Sequence, residues 1–409
     1  DVRGYYGSPL ALSVSGGSGN GAVTYAVTSP GTAGCFIAAN GTDLLAASAG
    51  TCTVTATKAA SATYRVRTST IATMTFDKIA QPAALILSDS SFTFGTTLTL
   101  SATGGNGGGA LSYGVSSAGS AGCSVNGSVL SATSGGSCSI IATRAASTNY
   151  ISLTESFTIT VNKAVQATLV IADVNGSYGE GLMLAASGGS GAGAVTFTVS
   201  SVGTSGCSIF SGVVTVSSPG TCTVIANKGS DDSYLAKNSA TTLLTFSKGT
   251  QSALVLADGG MLFGVVLPLA ASGGNGDGAI SYALVSSGTA NCSLSNTEVS
   301  ATSTGTCTVA VTKSSSNNYF SKTQNFTITV GIAPQISLAV VTASGTVGES
   351  LQLSFTGGSG NGAVSWSVTV VGSARCGLIG STLLATSAGS CTVRVSKATD
   401  DNYSVTSAT

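Results

Sequence analysis

Short runs of alternating apolar and small polar residues recur along the whole chain, separated by turns rich in Gly, Ser and Asn. The stretch from 83 to 163 shows the order most plainly. It reads AALILSD (83–89), TLTLSAT (97–103), a GGNGGG turn, ALSYGVSS (110–117), a short segment from Cys123, SVLSAT (128–133), CSIIATRA (138–145) and SFTITVNK (156–163). A period of two sends successive side chains to opposite faces of a strand. Strand-length runs at this spacing predict a β-sandwich of roughly seven strands. No window of helical length carries an apolar repeat of three to four residues, so helices are expected to be minor.

The pattern is itself repeated. GTCTVTATK (50–58) returns as GSCSIIATR, GTCTVIANK, GTCTVAVTK and GSCTVRVSK, and a tyrosine follows each: Tyr64, Tyr150, Tyr234, Tyr319 and Tyr403. Paired glycines (Gly16–Gly17, Gly104–Gly105, Gly188–Gly189, Gly273–Gly274, Gly357–Gly358) and a following aromatic (Tyr25, Tyr113, Phe197, Tyr282, Trp366) keep step. Every series advances by 84 to 88 residues, which is the signature of a tandem array. Five modules of about 85 residues are expected, at 1–80, 81–165, 166–250, 251–334 and 335–409. The predicted fold is all-β, a linear tandem array of five β-sandwich modules.

Composition narrows the function. The chain has 409 residues, 55 of them Gly, with 15 basic and 15 acidic residues and no His. Zero net charge gives no electrostatic footprint for nucleic acid or an anionic membrane. Apolar content of 43% in alternating runs argues against disorder. The longest apolar candidate for a membrane span, MLFGVVLPLAA (261–271), is too short and contains Pro268.

Ten cysteines in repeat order point to an oxidising compartment. They pair within modules as Cys35/Cys52, Cys123/Cys138, Cys207/Cys222, Cys292/Cys307 and Cys376/Cys391. A structural disulfide closing a loop of this length contributes about 3 kcal/mol. A redox or metal-binding pair and intermolecular bridging are the alternatives, the first weakened by the lack of His and of any CxxC. The five recurrent tyrosines are expected to be core residues that plug the end of each sandwich, with hydroxyls bonded to nearby backbone. The alternative is a set of exposed rings for stacking on carbohydrate.

Little remains for chemistry. Without His, neither Ser/His/Asp nor Cys/His catalysis can be built, so no enzyme is expected. No cofactor is implied. Asp231–Asp232 and Asp400–Asp401 leave calcium as an alternative, against a turn in which each Asp bonds its own backbone. Trp366, the one tryptophan, with Arg375 is the first place to look for a ligand.

The unit GGSGNGAVTYAV…GTCTVTATKAA…Y, followed by a K-x-x-Q linker (Lys78–Gln81, Lys163–Gln166, Lys248–Gln251), resembles the Ig-like repeats of very large secreted bacterial surface and adhesin-like proteins. The last junction departs from it, with Gly331 where lysine is expected ahead of Gln335. The resemblance implies an extracellular structural protein, a filament subunit or adhesin stalk. Its partners would be copies of itself, further repeats of a longer chain, or a surface ligand. Module one lacks an AALILSD-like first strand and module five lacks an SFTITVNK-like last strand. A slice from a longer array is one reading of this, and strand complementation between neighbours is the other.

Overall fold

A computed structural model describes residues 2–341 and 343–409. All regular structure among them is β-strand. The chain divides into two compact units. One comprises residues 1–172, 186–198 and 225–240, and the other 173–185, 199–224 and 241–409. The first holds modules one and two, the second modules four and five, and the boundary runs through module three.

Module two shows the grammar. Its strands Ser91–Thr93, Leu153–Asn162, Gly136–Arg144 and Leu111–Ser117 form one sheet in that order. A second sheet runs Leu98–Thr99, Val129–Ser131, Ser124–Asn126. Leu85–Leu87 pairs separately with Ala102–Gly104. All pairs are antiparallel except one: Ser91–Thr93 lies parallel to Thr160–Asn162. Two facing sheets, with the first strand leaving one edge to join the other, make an Ig-like sandwich. The seven strands expected from the alternation appear as nine pieces because the first and second strands each break in two as they change pairing partner.

Alternation decides the core. Along Gly136–Arg144, Cys138, Ile140 and Ala142 point inward and are buried, while the intervening Ser137, Ser139 and Ile141 do not. Leu130, Ile140 and Ile159 are wholly buried and pack with Cys123 and Cys138. Module four repeats all three sheets, and module one repeats the two larger ones. In the second unit, Gly220–Val224 pairs antiparallel with Thr242–Phe246 of module three.

Each cysteine pair is bonded within its module. Cys35 joins Cys52, Cys123 joins Cys138, Cys207 joins Cys222, Cys292 joins Cys307 and Cys376 joins Cys391, with Cα atoms 6.1 to 6.3 Å apart. In module two, Cys138 sits in the long sheet and Cys123 directly precedes a strand of the short one, so the bridge ties the two sheets across the core. Cys52 and Cys307 show where the bridged sulfurs lie. Both are 2% exposed. Cys52 packs in the module-one core with Val54 and Phe76, and Cys307 packs in the module-four core with Val309 and Ile328. A thiolate site needs an accessible, unbonded sulfur, and these two are oxidised and enclosed. Cys52 and Cys307 are thus structural core residues and no part of a redox or metal site.

Module five differs. Its Thr392–Lys397 strand is three residues shorter at the start than the matching nine-residue strands of the other modules. In those modules the missing residues pair with the last strand. Thr406–Ala408 pairs with Val395–Lys397.

Candidate functional site

The recurrent features converge at the junctions between modules. Where the last strand ends, the chain passes Lys78, Lys163 or Lys248 and meets the tyrosine loop of the next module. Ile79 there forms a parallel bridge with Tyr150. The Ile79 N–H donates to the Asn149 carbonyl at 3.1 Å, and Ile151 N–H returns a bond to the Ile79 carbonyl at 2.9 Å. Ala164 bridges Tyr234, Gly249 bridges Tyr319, and Ala333 bridges Tyr403 in the same way.

A ring pair closes each junction. Tyr6 meets Tyr150, Phe94 meets Tyr234, Tyr178 meets Tyr319 and Phe263 meets Tyr403, all edge-to-face with centroids 5.3 to 5.9 Å apart. Edge-to-face geometry sets the positive ring edge against the negative face, adding about 0.5–1.5 kcal/mol to the area buried. The lysines cap the arrangement: Lys78 Nζ donates to the Ser147 carbonyl at 2.6 Å, Lys163 to Asp231 at 2.5 Å and Lys248 to Ser316 at 2.5 Å. At the fourth junction Gly331 has no such reach, and Thr304 substitutes. Its N–H donates to Asn402 Oδ1 at 3.0 Å and its Oγ1 to the Asp401 carbonyl at 2.6 Å.

The structure therefore moves the tyrosines out of the core positions expected for them. None is among the buried hydrophobic residues. Tyr150, Tyr234, Tyr319 and Tyr403 are half-buried joint residues, and Tyr64 is 50% exposed. The physical reason is that the hairpin bearing each tyrosine lies at the end of the sandwich, where the apolar surface within reach belongs to the neighbouring module. Sequence reasoning missed the partner rings, although each of the four joint tyrosines has an aromatic residue 140 to 144 positions before it. The disulfides stand apart from these joints. Cys52 and Cys307 lie inside their own modules and stiffen the units that the joints connect.

The glutamine of the K-x-x-Q linker has an equally definite place. Gln166 is 2% exposed; its Nε2 donates to the Gly229 and Leu235 carbonyls at 2.9 Å each, and its Oε1 accepts from Ser190 N–H at 3.1 Å. Gln81, Gln251 and Gln335 are buried likewise. The paired-glycine turn makes the room. Gly105 has φ +69°, and a Cβ there would lie 2.5 Å from Gln81 Oε1. In module one, Gly17 instead borders a cavity of about 670 Å³ whose walls include Val14, Lys58 and Tyr64.

The acidic pairs serve the tyrosine loops. Asp231 Oδ1 accepts from Ser233 N–H at 2.9 Å and Tyr234 N–H at 2.8 Å, and Oδ2 accepts from Ala192 N–H at 2.6 Å. The Ser233 N–H is the largest influence holding the Asp231 carboxyl below its ordinary range, against some loss of hydration. Asp400 repeats this with Asn402, Tyr403, Asn361 and Gly362, the Asn402 N–H leading. Both oxygens of each carboxylate thus accept backbone N–H bonds, the turn reading of these letters. Among the described residues no group of three or more His, Cys, Asp or Glu is placed to hold a metal. Among them, too, no helix is long and apolar enough to cross a membrane.

Trp366 lies edge-to-face with Phe355 at 6.2 Å and packs on the module-five core. The two rings line a shallow depression of about 820 Å³. Arg375 lies in a turn at φ 50° and is not among that depression's lining residues.

No protein-family model matches the chain, and no curated protein matches it in sequence. Solved structures similar to it include Drosophila N-cadherin EC1-4, 10% identical over 79% of this chain and 94% of that one, with a TM-score of 0.20. Domains 1-6 of the surface layer protein SbsC are 14% identical, covering 91% of this chain and 59% of that one, with a TM-score of 0.24. The N-terminal eight Ig domains of Down Syndrome Cell Adhesion Molecule are 10% identical, covering 99% and 58%, with a TM-score of 0.23.

Proposed function

We propose that this chain is a non-catalytic extracellular structural protein, a disulfide-stiffened array of Ig-like modules serving as a cell-surface filament subunit or an adhesin stalk. One observation carries the reading: the same joint, with its parallel bridge and edge-to-face ring pair, recurs at all four junctions. A protein selected only for separate binding modules has no need of a repeated joint. A protein that bears or transmits load along its modules does, because nearest-neighbour contacts are what stiffen an array. Five intramodule disulfides suit an oxidising, extracellular setting. Its partners in this reading are copies of itself or further repeats of the same type.

Negative-stain electron microscopy of the protein isolated from its source tests this. Regular fibres or slender rods are expected. Modules strung at random angles, like beads on a flexible thread, would overturn the structural reading. The alternative is a surface adhesin whose modules bind a carbohydrate or protein directly, and the Trp366–Phe355 depression favours it. Glycan binding abolished by Trp366→Ala, in protein that forms no ordered assembly, would establish that reading instead.

A further inference from the structure

Each module leaves one sheet edge long and uncharged. Val23–Ser29, Leu111–Ser117, Val195–Ser201, Ile280–Ser286 and Val364–Val370 are seven-residue strands at the rim of the sheet built on the GTCTVTATK-like strand. In modules one to four the opposite rim of that sheet is a strand of only three residues. The facing sheet ends in every module on a strand of three or four. Shortness blunts an edge, and so do Lys and Pro. The long strands have none of these protections: VTYAVTS, LSYGVSS, VTFTVSS, ISYALVS and VSWSVTV contain no charged residue and no proline. The inner strand beside each ends in Lys or Arg, so charge is present one strand in and absent at the rim.

The ladder fixes which main-chain groups face outward. Ala59 N–H donates to the Ala22 carbonyl at 2.8 Å, and Ala145 to Ala110 and Ala398 to Ala363 repeat the bond at 2.9 and 2.8 Å. In an antiparallel pair, bonded positions alternate with unbonded ones. Thr24 and Ala26 thus bond inward to Thr57 and Thr55, while Val23, Tyr25 and Val27 turn their N–H and C=O groups to the open rim. Tyr113, Tyr282 and Trp366 hold the place of Tyr25 in their own registers. A bulge ends the regular run at Val27/Ser29, Val115/Ser117, Leu284/Ser286 and Val368/Val370. The five residues before it read apolar, small, aromatic, small, apolar: VTYAV, LSYGV, ISYAL and VSWSV, with VTFTV in module three. This pattern is the same in both directions, and the recurrent half-buried aromatic stands at its centre.

We propose that these rims are self-association sites, each pairing antiparallel with the same strand of a second copy of this chain about a twofold axis at the central aromatic. A twofold contact sets every position opposite its mirror position, so it requires a strand that reads alike both ways and brings no charge against its like. A different protein on the same edge would need no such symmetry. In the pair made by 364–368, Trp366 meets its own counterpart and Val364 meets Val368 of the other copy. The three outward residues of each strand exchange about six main-chain hydrogen bonds across the axis. Val23, Val195 and Val364, exposed in the single chain, become covered. The inference rests on the structural reading above and names the contact between copies.

Sedimentation equilibrium and amide hydrogen exchange on the full 409-residue chain test this together. Association should rise with concentration. The outward N–H groups of Tyr25, Tyr113, Tyr282 and Trp366 should exchange at least about tenfold more slowly where the chain is paired than where it is dilute. Thr24 and Ser365, already bonded inward, should not change. Proline at the first position of all five strands (Val23→Pro, Leu111→Pro, Val195→Pro, Ile280→Pro and Val364→Pro) removes an outward donor where a strand tolerates proline, and should abolish pairing. A second variant, Thr24→Lys, Ser112→Lys, Thr196→Lys, Ser281→Lys and Ser365→Lys, changes only exposed side chains. Its pairing should weaken at low salt and return at high salt, which a folding defect would not do. No association up to the solubility limit, association that leaves the four amides fast, or unaltered association of both variants overturns the proposal. Each of these failures leaves the structural reading to the microscopy.

Discussion

Replacing Gln166 by leucine isolates the linker's contribution, because leucine keeps an apolar body of similar length and removes the amide. Three hydrogen bonds go: two from Nε2 to the Gly229 and Leu235 carbonyls, and one from Ser190 N–H to Oε1. A typical buried bond contributes about 1 kcal/mol net, and the groups left behind keep their desolvation cost. The loss is therefore about 3 kcal/mol, concentrated where Leu169–Ile171 pairs with Ala186–Gly188. At about 1.4 kcal/mol per factor of ten, local opening should become roughly 150 times more frequent. Native-state hydrogen exchange reads this directly, since segments of one chain open with different free energies. Amides of Ser190 and Leu169–Ile171 should exchange roughly a hundredfold faster, while the matching module-four strand Leu254–Leu256 should not change. A rise of less than about threefold at Ser190 would refute the claim that the glutamine holds the entry strand in place.

Tyr234→Ala removes one ring pair while leaving the cores intact. Exchange at Ala164 and Leu235, whose N–H groups bond across that joint, should accelerate by about tenfold on the value of an edge-to-face pair. An unchanged rate would show that the backbone bridge alone holds the modules. Acid should open two tyrosine loops selectively. Asp231 and Asp400 are held below the ordinary value near 3.9, so their contribution is complete above that pH and is lost as pH falls through their lower folded values. Exchange at Tyr234 and Tyr403 should rise in that acid window and Asp231→Asn should abolish the response at Tyr234. Tyr319, whose N–H bonds Ser316 Oγ, should show none, and a response there would sink the assignment.

The repeat, the strands and the cysteine partners are legible in the sequence because each depends on spacing within one module. Alternation tells which residues face inward, and the shared period tells which cysteines can meet. It places Cys52 and Cys307 on the same inward row as Val54 and Val309, which is why their bridges lie in the core. The tyrosines escape this logic for the complementary reason. A pattern within a module says that Tyr150 faces an apolar surface but not that the surface is Tyr6 of the module before it. The glutamine of the linker is visible as a recurring letter, yet its role needs the Gly105 turn to be seen in space, since only a residue without Cβ leaves room for the amide.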